Sequence, residues 1–124
     1  MENSGPARTD LMTGELFKAI DSKDVQGFIA MLAADCTFKF GNLPAVNGAA
    51  AIEQFVAGFF ESIESLSHEI QDSWDVVDGL ICHGLVSYTR KDGSVLTVPF
   101  ANILKSGATG IDEYLIYADT SQLY

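Results

Sequence analysis

The stretch from residue 47 to residue 63 most constrains what this chain can fold into. Ile52, Phe55, Val56, Phe59, Phe60 and Ile63 follow one another in steps of three and four, which gathers them on one face of a helix. Three of the eight phenylalanines lie on that face, and Asn47 stands where a cap belongs. A helix so apolar on one side must lie on a sheet. The following residues supply that sheet. Leu66 to Val77, Leu80 to Arg90, Val95 to Lys105 and Ile111 to Asp119 each read as a strand, with Asp78-Gly79 and Asp92-Gly93 as hairpin turns. The Gly-rich segment from Ser106 to Gly110, including Gly107-Ala108-Thr109-Gly110, reads as a longer hairpin loop with none of the context of a phosphate loop. Short connections between consecutive strands make antiparallel neighbours. A strand of about ten residues runs roughly 34 Å, longer than one helix covers, so the sheet must twist and curl round its helices. Curling leaves a concave face lined by side chains.

The first half of the chain predicts two more helices. Residues 1–9, with Gly5-Pro6, read as a flexible arm, and residues 10–124 as a single domain. Thr9 or Asp10 caps a helix with Met12, Leu16, Phe17 and Ile20 on its apolar stripe. Asp24 caps a second, with Val25, Phe28, Ile29 and Leu32, ending at Ala34-Asp35. Cys36 to Phe40 alternates like a short strand, and Gly41-Asn42-Leu43-Pro44 breaks it. The expected class is α+β: three helices on a strongly curved, mostly antiparallel sheet, a cone-like half barrel with an internal pocket.

The totals exclude some partners. A length of 124 residues with 48% apolar content suffices for one core. The net charge of −10, with seven scattered basic residues, argues against nucleic acid and against a membrane surface. Met1 to Asp10 is polar, without the basic start and apolar run of a signal peptide, and the cytoplasm is the expected compartment. Cys36 and Cys82 read as buried thiols on strands. Cys82-His83 makes a poor metal site, because neighbours on a strand point to opposite faces. Glu61 with Glu64, and Asp72 with Asp75 and Asp78, read as solvated faces. The expectation is a site free of metal and cofactor.

The order of elements carries a resemblance, together with Leu16-Phe17-Lys18-Ala19-Ile20-Asp21, Phe38-Lys39-Phe40-Gly41-Asn42, Gly48-Ala49-Ala50-Ala51-Ile52, the run from Val86 to Gly93, Pro99-Phe100 and the run from Glu113 to Asp119. From Leu11 to Tyr124 the chain resembles the nuclear transport factor 2-like superfamily, in the branch of SnoaL-like polyketide cyclases, ketosteroid isomerases and limonene epoxide hydrolases. The resemblance implies a pocket for a small apolar or amphipathic metabolite. It places Asp119 where cyclases and epoxide hydrolases keep an acid or base. Leu85 and Ser87 stand where the epoxide hydrolases place an Arg and an Asp, and Phe38 and Phe40 where they place a Tyr and an Asn. The base of the isomerases has no counterpart in Phe38 to Asn42, and the histidine of the cyclases is replaced at Asn102-Ile103. Fold alone confers no function.

Two roles stand for Asp119. In an apolar pocket its charged form is desolvated, its pKa rises, and it moves protons near neutral pH. At a strand end it starts the turn into Thr120-Ser121. His83 shares the parity of Leu85, on the face that lines the pocket in the epoxide hydrolases, and is either a proton-transfer partner of Asp119 or a half-buried histidine bonded to backbone. His68, where the third helix hands over to the sheet, reads as a pocket-rim residue or a surface histidine, with the surface favoured. Trp74, Tyr88 and Tyr117 line the pocket or fill core, and so do Phe38, Phe40, Phe55 and Phe59. Tyr114 and Ile116, of opposite parity to Asp119, are expected on the convex face and would pair two copies into a homodimer. Two functions remain open: proton-transfer catalysis such as isomerisation, cyclisation, dehydration or hydrolysis, and a non-catalytic ligand-binding or dimerisation module.

Overall fold

The computed structural model describes residues 8–124, with side chains from residue 14 onward. Three helices pack on a curved, unclosed, six-stranded sheet that is mostly antiparallel. The elements run α1 (Arg8–Asp21), α2 (Val25–Ile29), β1 (Leu32–Phe40), β2 (Val46–Asn47), α3 (Ala49–Ser62), β3 (Ser65–Val76), β4 (Gly79–Thr89), β5 (Val95–Ser106) and β6 (Ile111–Ala118). The strand order is β2-β1-β6-β5-β4-β3, with β1 parallel to β6. The expected α+β class holds, and the last four strands lie within a residue or so of their expected bounds. Most of the expected arm falls outside the described residues, as does the side chain of Met12. Arg8 and Thr9 already belong to α1. No helix among the described residues is long and apolar enough to cross a membrane.

Two local expectations are corrected. The second helix ends at Ile29, and Leu32 and Ala33 are buried members of β1. Parallel pairing of Leu32 with Ile111 on β6 outweighs the helical spacing there. Asp24 does cap α2, accepting from the Gly27 N–H at 3.0 Å. Asn47 does not cap α3. It lies on β2, where its Oδ1 accepts from the Thr37 hydroxyl at 3.0 Å, and Gly48 turns the chain into the helix with a φ of 91°.

The core lies between the helices and the concave face. Ile52, Val56 and Phe60 bury the predicted face of α3, and Leu16, Phe17 and Ile20 bury that of α1. Each such side chain contributes roughly 1.5–3 kcal/mol by leaving water. On β4 the burial alternates from Leu80 onward, with Leu80, Cys82, Val86 and Tyr88 inward. Cys36 and Cys82 are both buried free thiols.

One irregularity decides which residues face inward on β3. Ile70 pairs with Gly84, but Asp72 pairs with His83 and Trp74 with Ile81, so a bulge at Gln71 shifts the register. Before it, Leu66, His68 and Ile70 share the inner face. After it, Trp74 is on the outer face beside Ile81. Gly84 makes the bulge possible, because a Cβ there would lie 1.8 Å from the Glu69 carbonyl oxygen.

Candidate functional site

Between the concave face and the helices lies a partly open cavity of about 50 Å³. Phe38 and Phe40 of β1 form one wall, Phe55 and Phe59 of α3 a second, and Tyr88, Phe100 and Tyr114 the sheet side. The rings meet edge to face, as Phe40–Phe59 at 5.1 Å and 83°, and Phe28–Tyr114 at 5.6 Å and 71°. That geometry sets the positive edge of one ring on the negative face of the next.

Four side chains with polar groups, His68, Tyr88, Asn102 and Tyr114, interrupt this apolar wall. His68 enters from β3, against Phe17 at 4.6 Å and edge-on to Phe100 at 5.1 Å. Its Nδ1 lies 2.6 Å from Asp21 Oδ1, and its backbone N–H donates to Asp21 Oδ2 at 2.9 Å. Asp21 is the last residue of α1, where the helix dipole disfavours a carboxylate. Two donors from His68 offset that cost. So short a contact to a carboxylate requires a proton on Nδ1, which leaves Nε2 as the ring nitrogen free for a ligand.

Asn102 of β5 is 2% exposed. Its side-chain N–H donates to the Tyr114 hydroxyl at 3.4 Å, while its Oδ1 is buried with no partner among the described residues. An unpaired buried carbonyl costs about 1–3 kcal/mol. Burial holds the Tyr114 phenol well above its ordinary pKa of 10.0, so it stays neutral. Burial likewise raises the Tyr88 phenol.

The sequence-predicted residues divide between two sides of the sheet. Phe38, Phe40, Phe55, Phe59, Tyr88 and Asn102 line the cavity. Trp74, His83, Leu85, Ser87 and Tyr117 do not; they are of the outward parity. The His83 ring stacks on Trp74 at 5.7 Å and 13°, and its Nε2 lies 3.3 Å from Asp72 Oδ2. The Ser87 and Thr97 hydroxyls bond to each other at 2.8 Å. Asp119 lies just beyond β6, exposed, its carboxylate accepting from the Ser121 N–H at 3.0 Å. That bond lowers its pKa below the ordinary 3.8, opposite to the shift an apolar pocket would cause. Asp119 and His83 are therefore not brought together in the cavity.

Parity explains the exchange. A shift of one residue turns every side chain of a strand to the other face. On β6 the inward residues are Tyr114 and Ile116, which line the cavity and not the convex face as expected. The signal was present: Tyr114, Ile116 and Ala118 are apolar at alternate positions, whereas the positions between and after them include Glu113 and, just past the strand, Asp119. For His68 the surface was favoured over the pocket rim, although it alternates with Leu66 and Ile70, because its partner Asp21 lies 47 residues away.

A model of the SnoaL-like domain matches residues 14–110. No match was found among curated proteins. Solved structures similar to this chain include a nuclear transport factor 2-like protein of unknown function from Burkholderia pseudomallei, with 14% identity, 95% of each chain covered and a TM-score of 0.84. Another is a protein with a ketosteroid isomerase-like fold from Catenulispora acidiphila, in complex with trimethylamine, at 18% identity, 88% of this chain and 85% of that one, and a TM-score of 0.80. TerC co-crystallized with polyporic acid matches at 14% identity, 92% and 93% coverage, and a TM-score of 0.78. At these identities the likeness concerns the fold alone. The family match spans most of the chain, and this protein belongs to the SnoaL-like domain family.

Proposed function

We propose that this protein takes up a small, mainly apolar molecule in the cavity and moves a proton on it through His68, without metal or cofactor. The observation that carries this reading is the His68–Asp21 pair, a titratable ring held by a carboxylate at the edge of an aromatic chamber. The carboxylate fixes the ring and its tautomer, and Nε2 then accepts or returns the proton. Such chemistry serves isomerisation, cyclisation, dehydration or hydrolysis. His68 thus takes the role expected of Asp119, which serves as a turn residue. The cytoplasm suits two buried free thiols.

A screen of small apolar and aromatic compounds by thermal shift tests this reading, since a ligand of the native state raises its melting temperature by mass action. Turnover of a compound so found is expected to fall about a hundredfold or more in His68→Gln. Unchanged turnover in that variant would remove His68 from the chemistry.

A second observation supports a homodimer. Trp74, Ile81, Ile103 and Leu115 form one cross-strand row on the convex face, and Tyr117 lies in the next. Trp74 and Tyr117 are 52% and 57% exposed, and exposed apolar patches mark interfaces. Light scattering is expected to give twice the 13.4 kDa chain mass. A monomer at micromolar concentration would exclude the pairing.

A further inference from the structure

The unpaired Asn102 oxygen says what kind of molecule the cavity is built for. This inference rests on the cavity reading above and narrows its ligand. Asn102 Oδ1 is a buried acceptor without a donor. The Tyr114 hydroxyl beside it already accepts from the Asn102 N–H, so its own proton is free to donate. With Nδ1 of His68 engaged by Asp21, Nε2 is the ring nitrogen left for a ligand. Among the described residues no Lys or Arg lines the cavity, and the chain carries a net charge of −10.

We propose that the cavity selects neutral, hydroxyl-bearing compounds, the hydroxyl donating to Asn102 Oδ1 and accepting from Tyr114. An ether or ketone would satisfy Tyr114 and leave Oδ1 unpaired. A hydrocarbon would leave both unpaired. A carboxylate would bring a charge into an apolar chamber with no cation to meet it. The surrounding phenylalanines favour a ring as the body of the ligand. A single ring needs about 150 Å³, more than the 50 Å³ of the cavity as it stands. Phe55 and Phe59 supply the difference. Both are half-buried and also line an outer groove of about 380 Å³, bounded by Leu43, Leu123 and Tyr124, so a rotamer change of either ring towards that groove would widen the chamber.

Four probes of similar size separate the terms: phenol, anisole, toluene and benzoate. Each is titrated into the unmodified protein at neutral pH, with Kd read from the 1H–15N signals of the Asn102 side-chain amide and the Phe100 backbone. Phenol is expected to bind about tenfold more tightly than anisole or toluene, the scale of one net hydrogen bond. Benzoate is expected to bind weakest. Asn102→Leu should abolish the preference for phenol while keeping toluene binding. Anisole, toluene or benzoate equalling phenol on the unmodified protein would overturn this inference and leave the cavity reading standing. If none of the four shifts those signals, the cavity reading falls as well.

Discussion

Two histidines on neighbouring strands make the same kinds of contact and end in different chemistry. His68 lies against Phe17 and Phe100 with Asp21 at 2.6 Å; His83 lies against Trp74 with Asp72 at 3.3 Å. The side chains of the first pair are 10% and 27% exposed, those of the second 40% and 63%. Water screens the outer pair, and such pairs are worth about 0–1 kcal/mol. The inner pair has lost most of its water and is held by two bonds from one residue to one carboxylate. Residue type and spacing do not separate the two. The side of the sheet does.

The largest test breaks the device that sorts the sides. Gly84→Val would drive a side chain into the Glu69 carbonyl at the β3 bulge. We expect a loss of about 3 kcal/mol or more, the upper end of overpacking costs, in urea unfolding. Trp74, the single tryptophan, should change its fluorescence emission as the register beyond the bulge is disturbed. An equally stable variant with unchanged emission would mean that the bulge is not held by Gly84.

Inner and outer faces should also differ in reactivity. Cys82 is adjacent to outward His83 yet faces the core, and Cys36 does the same on β1. Desolvation pushes both thiols from 9.0 up to about 11. The thiolate population falls about a hundredfold, and an alkylating reagent should react at least that much more slowly than with a free thiol. Denaturation without reductant should release two thiols. Rapid labelling of native Cys82 would contradict the parity of β4.

The third test compares the two pairs directly. Asp21→Asn places an amide where a carboxylate accepts two bonds, and should cost about 1–3 kcal/mol. Asp72→Asn should stay within about 0.5 kcal/mol. Equal losses in the two variants would erase the distinction between the faces.

The smallest effect belongs to Asp119. Its folded pKa is lowered by the Ser121 bonds, so the folded state binds fewer protons than the unfolded chain. Its stabilisation is present above the ordinary carboxylate pKa and is lost as pH falls through the lowered value. Asp119→Ala should therefore lower the melting temperature slightly at neutral pH and not at all once both forms are protonated. A variant more stable than the parent at neutral pH would return Asp119 to an apolar setting.

Most of the fold was legible because its signals are local. The period of α3 survives in Ile52, Val56 and Phe60, and the turns at Asp78-Gly79 and Asp92-Gly93 mark the strand ends. The aromatic half of the site was legible for the same reason, since Phe38, Phe40, Phe55 and Phe59 are core by any reading. The polar half was not. Asp21 was noticed only within a stretch that carries the resemblance, and for His68 the surface was favoured over the pocket rim.

By itself, then, the sequence determined the elements, their order and the apolar surface they had to share, because periodicity and turn chemistry act between residues a few places apart. Tertiary structure alone decided which polar groups share a chamber. A bulge of one residue at Gln71 keeps His68 inward and turns Trp74 outward. The end of α1 then brings Asp21 to His68, and β5 and β6 set Asn102 beside Tyr114. Those meetings depend on register and on contacts between distant parts of the chain, and a change of one residue in pairing exchanges the two faces of a strand.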